Sequence, residues 1–444
     1  MLSTEQIIAL APDASAVKAG QGLSGAQHWV TLGADEQAVW GECRGSGKLP
    51  YQTQIDLAGP AFKCTCPSHK FPCKHALGLF LLLAKSPQAF QGNAAPSWVA
   101  DWLQSRAKRE EKKASVVAEP AKPVDTQAAA KREAKRLEKV TRGVEELERW
   151  LCDLVRQGIA APPVRTRKFW EEMAARMVDA QCPGLARLLR QMALLPQAGE
   201  DGQGPLLEKL GALYLLIERF KRLESLPEST QADVRALIGW TQSQEELLAG
   251  DGVTDDWLVL GQHTLPEERL TVQRTWLWGT ANARPALLLQ YAHGKTPFEA
   301  LFAPGMCLRG ELVYYPGNVP LRALVKTQQA IDVLPETVSG YPTLAEARQA
   351  HNKALTAYPW LEYFPLLLHE AHLLRRDERW LLRDAAGAVL PIAPACAGVW
   401  ELFAVSGGHP VTLFGEWDGV HILPLSLLAD GRLHAFSCHE EGAR

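Results

Sequence analysis

Lys63-Cys64-Thr65-Cys66-Pro67-Ser68-His69-Lys70-Phe71-Pro72-Cys73-Lys74-His75 is the run on which the reading turns. Its spacing is Cys-x-Cys, six residues, then Cys-x-His. Zn²⁺ takes four nitrogen or sulfur ligands in a tetrahedron at about 2.0–2.3 Å. A Cys-x-Cys pair suits an extended strand end, where residues i and i+2 point the same way. Cys73 and His75 are also two apart, and two helical residues so spaced diverge by roughly 200°. That pair is therefore placed in a turn, with a helix starting at about His75. Phe71-Pro72 supplies an extended approach, and the apolar run from Ala76 to Ala84 supplies the helix. Four protein ligands, Cys64, Cys66, Cys73 and His75, close the tetrahedron around one Zn²⁺, so the site reads as structural rather than water-activating. His69, in the intervening loop, is read as solvent-facing.

Working outward, the segment Tyr51-Gln52-Thr53-Gln54-Ile55-Asp56-Leu57 alternates, with Tyr51, Thr53, Ile55 and Leu57 on one face, and predicts a half-buried strand before the ligands. Strands are also expected at residues 28–32 and 38–43, and a short helix at residues 3–10. Lys63, Lys70, Lys74 and Lys85 surround the ligand run. Two readings of them stay open: they offset the anionic first shell of three thiolates, or they form a patch for nucleic-acid phosphates.

The pattern Cys-x-Cys-x(6)-Cys-x-His between a strand and a helix resembles the SWIM zinc finger. The wording at residues 45–51 and 59–67 is similar to that of bacterial SWIM zinc-finger family proteins. Carried over, the resemblance implies Cys64, Cys66, Cys73 and His75 as the zinc ligands and a DNA- or protein-binding module. It also implies partnership with AAA-type ATPases and von Willebrand A-domain proteins, which nothing in composition or spacing addresses.

Beyond residue 100 the composition changes. Lys, Arg, Glu and Ala dominate residues 101–135, read as a basic charged linker. Leu137, Val140, Val144, Leu147, Leu151 and Leu154 then follow 3-4-3-4-3 spacing, the seam of a helix in an intramolecular bundle. Breakers such as Cys182-Pro183-Gly184 separate further helices through residue 250. From residue 251 to 444 strand patterns prevail: Leu270, Val272, Trp276 and Trp278 alternate, and segments 286–291 and 311–315 look similar. Helices are expected at residues 343–356 and 361–375. Segments 400–405 and 411–417 flank Ser406-Gly407-Gly408-His409-Pro410 and predict a hairpin. The fold class is thus α+β and multidomain: a small strand-and-helix zinc finger (1–100), the linker (101–135), a helical bundle (136–250) and a mixed, β-rich interaction domain (251–444).

Several function classes lose ground. The longest apolar run has nine residues, Ala76 to Ala84, where a spanning helix needs about 20. The opening residues lack a secretory pattern and nine cysteines do not form a disulfide framework, so a cytoplasmic protein without a membrane partner is expected. Net charge is −3, divided as +1 over residues 1–100, +5 over 101–142 and −9 beyond, so only the first third suits phosphate. Residues 41–48 fail as a phosphate loop because Leu49 stands where Ser or Thr would hold Mg²⁺. His369 and His372 are three apart, not the four of a zincin helix, and Ala404 stands where a nucleophile elbow needs glycine. Trp276 and Trp278 are read as sheet core in preference to a base-stacking platform. The expectation is a non-enzymatic binding protein, with an enzyme sited in the C-terminal region as the rival.

Overall fold

The computed structural model describes residues 2–12, 14–45, 49–57, 61–68, 70–90, 94–118, 126–195, 202–240, 242–267, 270–293, 298, 302–331, 335, 338–394, 396 and 398–436. The chain begins with α1 (Thr4–Ala9) and α2 (Ala14–Gln21). The Ser3 hydroxyl accepts from the Gln6 amide while the Gln6 side chain accepts from the Ser3 amide, a capping box that satisfies both donors. Strands β1 (Trp29–Ala34), β2 (Ala38–Cys43), β3 (Tyr51–Asp56) and β4 (Ala61–Cys64) form an antiparallel sheet in chain order, followed by α3 (Lys74–Lys85) and α4 (Ser97–Ala118). The half-buried strand read from residues 51–57 is covered on both faces. Thr53 and Ile55 are buried, but so is Gln54, beside Trp40 of the paired strand, because Val99 of α4 packs there and Gln54 donates to the Trp98 carbonyl at 3.4 Å.

The bundle comprises α5 (Thr126–Gln157), α6 (Arg167–Asp179), α7 (Pro183–Met192), α8 (Gln203–Lys221), α9 (Glu228–Ile238) and α10 (Gln244–Leu248). Its core contains the seam Val140, Val144, Leu147, Leu151 and Leu154. Leu137, the first seam position, is 39% exposed, so the packed stripe starts one turn later than the spacing suggests. Gly143 lies where α5 meets the end of α6: a Cβ there would come within 2.4 Å of the Ala180 Cβ.

The remainder begins with β5 (Val253–Glu267), β6 (Leu270–Gly279), β7 (Pro285–His293), β8 (Cys307–Tyr314) and β9 (Ala323–Ile331), an antiparallel sheet ordered β7-β6-β5-β8-β9. It continues with α11 (Leu344–Ala357), β10 (Phe364–Arg376), β11 (Arg379–Arg383), β12 (Val389–Pro391), α12 (Val399–Ser406), β13 (Val411–Trp417), β14 (Ile422–Ala429) and β15 (Arg432–Ala435). These strands form a second antiparallel sheet, β12-β11-β10-β13-β14-β15. The sheets face one another through Leu258, Leu260 and Trp276 on one side and Leu367, Phe414 and Leu425 on the other.

Two segments differ from what their sequence suggests. Residues 361–375 are not helical but form most of β10. Leu366, Leu367 and Leu368 are all buried, as expected of a strand enclosed on both faces, and Pro365 would have broken a helix interior at about 3 kcal/mol. Residues 400–405 are not the first arm of a hairpin but lie in α12. Gly407, with φ 58°, is its left-handed C-cap, so the glycine pair ends a helix rather than turning between strands. Trp276 and Trp278 are buried in the intersheet core, as read.

The other face of the five-stranded sheet positions the finger. Trp257, Val259 and Leu277 share one apolar cluster with Ile7 and Leu10 of the amino-terminal region and with Leu77, Leu79, Phe80 and Leu83 of α3. The bundle thus lies between two parts of the chain that share a core.

Candidate metal centre

Each ligand-type side chain is placed by a distinct local feature. Cys64 ends β4, opposite Thr53 of β3, and Cys66 follows two residues on. Cys73 is the N-cap of α3, where its Sγ accepts from the Ala76 amide at 3.5 Å, and His75 is the second residue of the helix. The turn between them contains a cis Phe71–Pro72 bond. One ligand atom from each of Cys64, Cys66, Cys73 and His75 can be chosen so that all lie within 4.8 Å of one another. The Nδ1 of His75 stands 3.8 Å from the Cys64 Sγ and 4.0 Å from that of Cys73. A zinc tetrahedron of three sulfurs and a nitrogen has edges of about 3.6–3.8 Å, so these donors fit one ion with shifts of a few tenths of an ångström up to about 1 Å.

Two contacts favour thiolates. Cys73 sits at the positive end of α3, and the Thr53 hydroxyl lies 3.2 Å from the Cys64 sulfur, able to donate to it. Hydrogen bonds from Cys64 and Cys73 hold the Cys66 thiol far below its usual range. The same sharing pushes Cys64 up to about 11, chiefly through its hydrogen bond with Cys66, and raises Cys73 through Cys64 and Cys66 together with burial. A divalent cation removes that competition, because all three sulfurs can then be anionic at once. Cys73 and His75 are buried, and the ring of Tyr51 packs on His75 with centroids 5.0 Å apart. Their alternation showed Tyr51 and Thr53 on one strand face, but not that this face neighbours His75 and Cys64.

The lysines are placed as follows. Lys63, on β4, and Lys74, the first residue of α3, are exposed beside the ligands. Lys70 is exposed in the turn and donates to the Ser15 hydroxyl at 3.3 Å. Lys85 ends α3, about 16 Å along the helix axis from Lys74 at 1.5 Å per residue, and donates to Ser24. Lys63 pairs with Gln54 and so lies on the sheet face opposite that of Cys64 and Thr53, while Lys70 and Lys74 lie in the ligand turn and at the start of α3. His69 lies outside the described residues.

Other polar sites noted in the sequence are bound up in the fold. His369, on β10 rather than a helix, accepts from the Gly340 amide through Nε2 at 2.9 Å, and its Nδ1 lies 3.1 Å from the Thr412 hydroxyl. Ser406 donates to the Phe403 carbonyl at the end of α12. No helix among the described residues is long and apolar enough to cross a membrane.

Comparison with known families agrees with this geometry. The model of the SWIM zinc finger matches residues 51–84, and that of the SWIM-associated four-helix bundle domain matches residues 135–238, which covers most of α5 and the helices through α9. No curated protein and no solved structure matches significantly.

Proposed function

We propose that this chain, a SWIM zinc-finger protein with the SWIM-associated four-helix bundle, is a non-catalytic binding protein whose single Zn²⁺ is structural. The observation that carries the reading is the donor set. Three sulfurs and one imidazole, all from the protein and within 4.8 Å of one another, complete a tetrahedron and leave no position for a substrate or a reactive water. When bound, the metal supplies cohesion; β4, the turn and α3 do the positioning.

Exposed lysines around the ligand run support the first reading of the partner. Exposed Lys63, Lys70 and Lys74 suit phosphate, and in this reading the finger contacts nucleic acid. The −9 balance beyond residue 142 supports the second reading, a protein partner, for which the family resemblance suggests an AAA-type ATPase or a von Willebrand A-domain protein. An enzymatic role would have to draw on groups such as Glu416 and His263. Both are buried between the sheets, and Glu416 accepts from Arg274 at 2.8 Å and from Trp276 at 2.6 Å, pairings that suit cohesion of the sheets.

The test combines elemental analysis with a shift assay. One zinc per chain that is lost in Cys64→Ser supports the metal assignment, and unchanged metal content removes it. Binding of a DNA duplex should weaken by about 0.9 log units per log salt for each phosphate neutralised, and should weaken further when Lys63, Lys70 and Lys74 become alanine. Absence of binding at low salt selects the protein partner.

A further inference from the structure

At the seam between the bundle and the five-stranded sheet lies an open cleft of about 680 Å³. One wall is a face of α9 presenting Glu228, Gln231 and Arg235, at the i, i+3, i+7 spacing of one helix side. The other wall presents Arg284, Tyr314 and Tyr315. Asn318 fixes the walls together: its side-chain amide donates to Asp233 of α9 at 2.6 Å and to Thr230 at 3.1 Å, and it accepts from Ser229 at 2.9 Å. The cleft is therefore preformed, which lowers the ordering cost of filling it.

Its electrostatics are uneven in an informative way. The Arg284 guanidinium lies over the Tyr314 ring at 3.7 Å, and that of Arg322 lies over Tyr315 at 4.3 Å. The Tyr314 hydroxyl donates to the Pro285 carbonyl at 3.0 Å, which holds the first stack in place. Among the described residues, Arg235, Arg284 and Arg322 have no carboxylate partner, whereas Arg309 on the same sheet is paired with Asp256. A guanidinium stacked on a ring keeps its N–H edge free, the edge that grips a carboxylate in bidentate fashion. Glu228 is the one carboxylate in the lining, and no side chain caps the first turn of α9.

We infer that this cleft binds an acidic, extended segment of a partner protein, with its carboxylates on Arg235 and Arg284 and its apolar side chains on Tyr314 and Tyr315. Nucleic acid is the weaker fit. Glu228 in the wall and the −9 balance of residues 143–444 oppose a regularly spaced phosphate backbone, whereas a peptide can place a neutral or basic residue beside Glu228. The Gln231 side-chain amide donates to the Leu226 carbonyl at 2.9 Å, which fixes it in the α9 wall. The cleft is separate from the finger lysines, and the inference does not depend on zinc.

The experiment is fluorescence anisotropy on the full-length, zinc-loaded protein with a fluorescein-labelled glutamate decamer, repeated with a labelled thymidine decanucleotide. Saturable peptide binding is expected, weakened roughly tenfold or more by Arg284→Gln and again by Arg235→Gln, and unchanged when Lys63, Lys70 and Lys74 become alanine. Arg235 is exposed on α9, so its substitution reports on binding even if Arg284→Gln disturbs the Tyr314 stack. Three results overturn the inference: no saturable peptide binding, peptide binding that depends on the lysines and not on Arg235, or tighter arginine-dependent binding of the thymidine probe. Zinc analysis of the same samples keeps a failure of the metal assignment distinguishable from a failure of the cleft.

Discussion

Cys73→Ser separates the metal's contribution from that of the helix it caps. Serine is a favoured N-cap and can accept the Ala76 amide that the Cys73 sulfur now accepts, so the substitution removes a zinc ligand and leaves the cap. Structural zinc is worth about 10–16 kcal/mol in isolated finger peptides, enough to decide whether they fold. Here α3 has a second source of stability. Leu77, Leu79, Phe80, Leu81, Leu82 and Leu83 are all buried, and at about 1.5–3 kcal/mol each they contribute roughly 9–18 kcal/mol before chain entropy is counted. The two contributions are of similar size, and only one depends on the ligand. Loss of zinc should therefore loosen the ligand turn and the first turn of α3 while the rest of the helix stays packed. Losing even a quarter of the zinc contribution, about 2.8 kcal/mol, raises local opening about a hundredfold. Hydrogen exchange followed by mass spectrometry is the assay: the Thr65 and Leu77 amides, bonded to Gln52 and Cys73, should lose protection by that factor, and those of Phe80 and Leu83 should keep it. Stoichiometric zinc with unchanged exchange in Cys73→Ser would refute the ligand assignment. Loss of protection throughout α3 would refute the claim that its apolar face holds it without metal.

Three further substitutions probe the packing. Glu416 is 1% exposed and accepts from Arg274 and Trp276, so Glu416→Ala, which leaves the buried Trp276 and the half-buried Arg274 without that acceptor, should cost about 3–5 kcal/mol by chemical denaturation; a loss under about 1 kcal/mol would show the pair to be dispensable. Gly143→Leu should destabilise the bundle by about 1–3 kcal/mol or more through the Ala180 contact, and Gly143→Ala should recover when combined with Ala180→Gly, a non-additivity that a double-mutant cycle measures. Burial against Phe364 and Trp417 lowers the His351 pKa below its ordinary value. The unfolded chain then binds more protons than the native one as pH falls through about 6.5, so this contribution is present above that pH and lost below it. His351→Phe should flatten the fall in stability between pH 7 and pH 5, and an unchanged slope would remove His351 as its source.

What was legible in the sequence is what a short chain segment determines by itself. Cys64, Cys66, Cys73 and His75 lie within twelve positions, and only a few backbone paths join them, so their spacing disclosed the site. Val140 to Leu154 repeat at helical period, so the seam disclosed its helix. The misreadings arose where two local conformations share a signal. The glycines at 407 and 408 both adopt positive φ, which a hairpin turn and a helix C-cap equally require, and only the packing of Val399 and Leu402 into the core distinguishes them. The Leu366–Leu368 run is apolar whether it is a buried helix or a strand covered on both faces, and Pro365 was the local hint against helix. Long-range neighbours left no trace at all. Trp257 and Phe80 belong to one apolar cluster although 177 positions separate them, and Arg235 and Tyr314 line one cleft from different elements. Joining α3 to Trp257, Val259 and Leu277 has a consequence that no motif carries. A fragment of residues 1–100 keeps every zinc ligand, and keeps Phe62 against Phe80, yet loses Trp257, Val259 and Leu277 from the cluster, so it should bind metal and still expose part of that cluster to water. The finger is thus local in its chemistry and dependent on residues beyond the bundle for its packing, and binding measured on the isolated finger would sample a surface the whole chain keeps covered.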